Sequence, residues 1–153
     1  MADAAAAPRP PRAYAALAEI EEIVRGFEDR TLPKARWTHA AHLTVAAWYL
    51  SRLPREEASR RIREGIPVYN VASGTPNTDT GGYHESITVL FIAAVARFLD
   101  ENRDTADLVV LTNRLLASPL GRSDYPLGFY TRERLFSVEA RRGWVPPDLR
   151  PLP

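Results

Sequence analysis

The chain has 153 residues, 20 basic and 19 acidic side chains, 45% hydrophobic residues, no cysteine and a formal net charge of +1. That length fits one ordinary globular domain, which hides roughly 70% of its unfolded surface on folding and needs no covalent staples. Without cysteine there is no disulfide framework, thiolate zinc knuckle, iron–sulfur cluster or cysteine nucleophile, and a charge so near balance argues against a nucleic-acid partner.

Residues 1–12 are rich in alanine and proline and lack the basic start and apolar core of a signal peptide, so a disordered tail is expected there. Residues 13–153 are expected to form a single helical domain. Over 14–29, Leu17, Ile20, Ile23, Val24 and Phe27 carry the i, i+3, i+4, i+7 spacing of an amphipathic helix. A loop over 30–37 leads to Thr38, a fitting N-cap for a second helix over 39–53 that Pro54 ends. A third helix starts at Arg55, and Pro67 is expected either to kink it or to open a new turn.

The run SGTPNTDTGG over 73–82 has no periodicity and reads as a true loop. A fourth helix is predicted over 83–102 and a fifth over 105–117. The longest apolar run, 87–96, is about half of the ~20 residues a membrane span needs, so a buried helix and no membrane partner are expected. After an irregular stretch over 118–130 and short helical turns over 131–143, the proline-rich end, 145–153, reads as an extended strap. The expected fold is all-α, a compact single-domain bundle of about five main helices. Its exposed helix faces permit a homodimer, and the missing disulfides fit a cytoplasmic location.

The chain holds only three histidines, His39 and His42 in WTHAAHL and His84 in GGYHES. On a helix, i and i+3 project from one face, the separation two ligands of one metal ion need. His39 and His42 share a stripe with Leu43, Ala46, Leu50 and Leu53, while His84 heads a stripe of Ile87, Phe91, Val95 and Phe98, so all three are expected to face one interior. Three converging imidazoles would bind one divalent transition metal, Zn, Fe, Cu or Ni, with open positions for substrate or water. Adjacent helical residues diverge by about 100°. Glu85 is therefore expected behind the ligands as an acceptor, as a capping-turn anion, or as a general base.

Asp79 is the other candidate proton acceptor, Tyr83 a hydrogen-bonding or acid group, and Asn77 a polar group at the pocket mouth. Trp37, nearest the histidines, is the candidate pocket wall. Neutral ligands leave the metal charge uncompensated, which favours an anionic or chelating small-molecule substrate. The bland readings are histidines that cap, stack or hydrogen-bond, and a structural module that docks a partner through apolar surface. The expected function is a metal-dependent small-molecule enzyme of unresolved hydrolytic, lyase, isomerase or oxygenase chemistry; the alternative is a binding or sensing protein using the same pocket. Arg60, Arg61 and Arg63 alternate with Glu56, Glu57 and Glu64 and read as a solvated face. Arg132, Arg134, Arg141 and Arg142 offer a carboxylate site, but pairing with Glu133 and Glu139 is the expected use. Lys34 is the one lysine and hence the one Schiff-base candidate.

WTHAAHL, then GGYHESIT, then RLFSVEARRGWVPPDL near the end resemble a group of small bacterial all-helical proteins with the pattern aromatic-x-His-x-x-His-Leu followed by Tyr-His-Glu-Thr. The resemblance spans about 32–152. Ser86 stands where the pattern commonly has threonine, which keeps the hydroxyl, and Pro67 falls where an uninterrupted helix is expected. The resemblance implies that His39, His42, His84 and Glu85 are functional residues, and it attaches no reaction to them.

Overall fold

One residue in the 14-residue helix His39–Arg52 is charged at neutral pH by type, Arg52 at its end, and a helix apolar on nearly every side has to be surrounded. This helix is α2, and it packs against α1 (Leu17–Glu28), α3 (Arg55–Ala72), α4 (Glu85–Glu101) and α5 (Leu108–Ala117). The computed structural model describes residues 13–153, which are helices and their connections with no strand among them. The expected tail, 1–12, lies outside the described residues. Two short helices follow, α6 (Arg132–Leu135) and α7 (Val138–Arg142).

Thr38 caps α2 by accepting from the Ala41 amide at 3.2 Å. Asp107 caps α5 through the amides of Val109 and Val110. The fourth helix begins later than its apolar pattern suggests. His84 is its N-cap, with a ring nitrogen accepting from the Ile87 amide at 3.2 Å, and Glu85 is its first residue. Pro67 neither ends nor restarts α3; the helix runs through it to Ala72, at the cost of the one hydrogen bond its missing N–H would make. The carbonyl of Pro67 accepts from Asn77 Nδ2 at 2.9 Å, which ties the 73–82 loop back to α3.

The main core joins Ile20, Ile23 and Phe27 of α1, Leu43, Val45 and Ala47 of α2, Ile62 and Tyr69 of α3, Val95 of α4 and Leu115 of α5. A second core lies against the other side of α4, where Leu90 meets Phe129, Tyr130, Leu135, Ala140 and Val145. After α7 the backbone forms no helix. Among its ties are the amide of Val145 to Ser86 Oγ at 3.1 Å, the hydroxyl of Tyr130 to the Val145 carbonyl at 2.6 Å, and the amide of Leu149 to the Phe129 carbonyl at 2.9 Å.

Candidate functional site: a cleft between α2, α3 and α4

Two adjoining cavities share His42, Ile66, Ile87 and Thr88 as walls and together form one cleft. The inner chamber, about 310 Å³, is apolar: Leu43, Ala46, Ile62, Phe91 and Ile92 line it, with His39 among them. The outer chamber, about 440 Å³, carries the polar groups of the cleft, with Lys34, Asn70, Tyr83, His84 and Arg141 in its walls beside Trp37. Another cavity, about 460 Å³ beneath the C-terminal residues, holds no histidine, and its Arg97 and Glu101 are paired with each other.

The hydrogen bonds of the histidines fix their tautomers, because a carbonyl only accepts. In His42, Nδ1–H donates to the Thr38 carbonyl at 2.8 Å, so Nε2 carries the lone pair of the neutral ring. Its imidazole lies against the Trp37 indole, centroids 3.9 Å apart, and that indole is stacked on Phe27 at 4.9 Å. Burial pushes His42 down to about 4, which keeps it neutral at pH 7. In His39, Nε2–H donates to the Leu120 carbonyl at 2.8 Å and the ring sits 5.0 Å from Phe91. In His84 both nitrogens are committed, Nε2–H to the Leu135 carbonyl at 2.7 Å and Nδ1 as acceptor from the Ile87 amide. Desolvation is the main cause that lowers the pKa of His84.

The three histidines are therefore strung along the cleft: His39 lines the inner chamber, His84 the outer one, and His42 both. Among the described residues no three His, Asp or Glu side chains gather as ligands for one ion. As arranged, the single lone pair of His84, on Nδ1, is occupied by the Ile87 amide, and His84 would have to release that cap before it could ligate an ion.

The expected acids lie elsewhere. Glu85 is buried beside Arg63 and Tyr83, forming an ion pair with the first and accepting from the hydroxyl of the second, and it lines a separate groove with Arg55, Ser59 and Arg60. Burial, reinforced by that carboxylate, raises the pKa of the Tyr83 phenol, so it stays protonated. Asp79 forms a two-pronged pair with Arg142, both distances 2.7 Å, at the exposed loop. Asn77 organises the loop: its Oδ1 accepts from Asn70 Nδ2 and from the Tyr83 amide. Of the polar candidates outside the histidines, Trp37 and Tyr83 line the cleft, while Glu85, Asp79 and Asn77 hold its surroundings in place. The indole N–H of Trp37 is closed off from water and has no partner among the described residues.

No family model, curated protein or solved structure matches the chain. The functional reading therefore stands on the geometry of the cleft. Sequence reasoning missed Thr88, which lines both chambers, and Asn70. It weighed Lys34 for a Schiff base, and set carboxylate binding by Arg141 behind pairing with Glu133 and Glu139. Arg141 does not pair with Glu133 or Glu139; its Nη1 donates to the carbonyls of Gly82 and Tyr83 at 3.0 and 3.3 Å. Nor do its neighbours, since Arg134 Nε donates to the Pro146 carbonyl, Arg132 lies over the Phe136 ring and Arg142 holds Asp79. The other arginine cluster splits in the same way. Arg60 and Arg61 pair along α3 with Glu57 and Glu64, whereas Arg63 reaches across to Glu85.

Proposed function

We propose that this protein is an enzyme acting on a small molecule held between α2, α3 and α4, with Nε2 of His42 as the proton acceptor. The observation that carries the reading is the place and state of that one ring: it lines both chambers, its tautomer is fixed by Thr38, and Trp37 braces its face. A neutral imidazole so held takes a proton from a substrate C–H or O–H, or from a water, and returns it later in the cycle. Elimination, isomerisation and hydrolysis are the reaction classes that one such base serves. Thr88 supplies a further acceptor, because its hydroxyl proton is spent on the His84 carbonyl at 2.8 Å and its lone pairs remain.

The alternative of a binding or sensing protein has one observation in its favour. Both carboxylates expected to help in catalysis are satisfied away from the cleft, Glu85 by Arg63 and Asp79 by Arg142. A metal-dependent enzyme using His39, His42 and His84 has the sequence pattern as its support, and it requires Nδ1 of His84 to release the Ile87 amide while Nε2–H keeps the Leu135 carbonyl.

The test compares natively purified protein with His42→Gln, incubated with an aqueous bacterial metabolite extract and followed by mass spectrometry. The expected result is a compound consumed by the parent and consumed at least ~100-fold more slowly by the variant, the scale of a lost general base. A compound bound by both proteins and consumed by neither makes this a binding protein. Elemental analysis of the same samples decides on the metal: about one ion per chain, lost in both folded His39→Ala and His84→Ala variants, replaces the present reading with the metal-dependent one.

A further inference from the structure

Neither Lys34 nor Arg141 forms an ion pair with any described carboxylate, and no Asp or Glu lines either chamber. Both cations stand in the wall of the outer chamber. The bonds from Nη1 of Arg141 to the Gly82 and Tyr83 carbonyls fix its guanidinium there before any ligand arrives. The adjacent Arg142 shows the contrast, since Asp79 already neutralises it. Fixed positive charge at one end of a cleft and hydrocarbon at the other give it a polarity, because an ionised group cannot enter the inner chamber without losing its hydration.

Building on the reading of this cleft as a small-molecule site, we infer that its ligand is an amphipathic oxyanion. The carboxylate or phosphate head group sits between Lys34 and Arg141, and the apolar body passes His42 toward Phe91. This orientation sets the part of the molecule next to its head group beside Nε2 of His42. A planar guanidinium and a lysine ammonium both recognise oxyanions, so the head group is defined by chemistry shared between carboxylates and phosphates.

The experiment titrates the full chain with 3-phenylpropionate, phenyl phosphate, the neutral alcohol 3-phenylpropan-1-ol and inorganic phosphate. Affinity is read by calorimetry and location by the ring signals of His42 in NMR. The expected result is that at least one aromatic anion binds about tenfold or more tighter than the alcohol and shifts the His42 signals. That preference falls about fivefold or more in Lys34→Gln and in Arg141→Gln, and it persists in Arg103→Gln. Arg103 follows the end of α4 away from His84, paired with Asp100, so this control removes the same charge at a distance. The tighter of the two aromatic anions identifies the head group.

Equal binding of the alcohol with shifted His42 signals overturns the oxyanion inference and leaves the cleft as a small-molecule site. Inorganic phosphate binding as tightly as phenyl phosphate also overturns it, because the apolar chamber then contributes nothing. If no probe shifts His42, both the inference and the reading beneath it fail.

Discussion

At the scale of single residues, the histidines differ by what their second nitrogen does. His42 keeps Nε2 uncommitted, whereas His84 spends both nitrogens on the backbone. The pH dependence of stability follows from burial. The unfolded chain protonates His42 near 6.5 and the folded chain near 4, so between these values the unfolded state binds more protons and stability rises with pH. The contribution is complete above about pH 6.5 and has been lost by about pH 4. Its size is on the order of 2 kcal/mol after discounting the part of the ring open to the cleft. Urea unfolding at pH 4.5 and pH 7.5 is expected to show this difference in the parent and a clearly smaller one in His42→Gln. His84→Ala removes an N-cap and leaves the Leu135 carbonyl without its donor, a loss of roughly 2–4 kcal/mol. A fall in Tm of about 5–10 °C by calorimetry is expected, with partial recovery in His84→Asn, which restores the cap alone.

At the scale of elements, the loop after α3 shapes the mouth of the cleft. Gly82 has φ +76°, and an added Cβ would stand 2.6 Å from the Pro76 carbonyl oxygen and 2.7 Å from Asn77 Oδ1. Gly82→Ala is expected to cost more than ~1–2 kcal/mol, because the left-handed backbone and the clash add. It should also weaken ligand binding, since Gly82 and Tyr83 line the outer chamber. Gly74→Ala, at φ +88° with nothing within 4 Å, carries only the backbone part and is expected to be milder in the same unfolding assay. Pro67 tests the opposite sign. In Pro67→Ala the helix regains an amide donor, so stability is expected to rise by about 1–2 kcal/mol, read as a higher Tm. A lower Tm would show that the proline fixes the line of α3 toward Asn77.

At the scale of the whole molecule, the second core depends on residues after α7, among them the buried Val145. Deleting residues 144–153 is expected to abolish amide protection over 125–142 in hydrogen-exchange measurements while α1 to α3 stay protected, and loss of protection throughout would show that the two cores unfold as one. The all-helical fold was legible in the sequence, because apolar residues at i, i+3, i+4 and a cap such as Thr38 are local signals set by backbone geometry. The burial of α4 was legible too, from the apolar run over 87–96, whereas the central place of α2 was not read from its sequence. His39, His42 and Trp37 were legible as a cluster because they stand within six positions of one another. Spacing alone could not show that His84 would turn its lone pair to Ile87, or that Glu85 would meet Arg63 on another helix. Lys34 and Arg141 are far apart in the chain and share one cavity wall only because the Gly82 turn and α7 bring them there. Local periodicity determined the helices and the faces they bury; which polar atoms would be spent on each other and which left facing a cavity was decided by tertiary packing, because hydrogen-bond partners are chosen by distance in space.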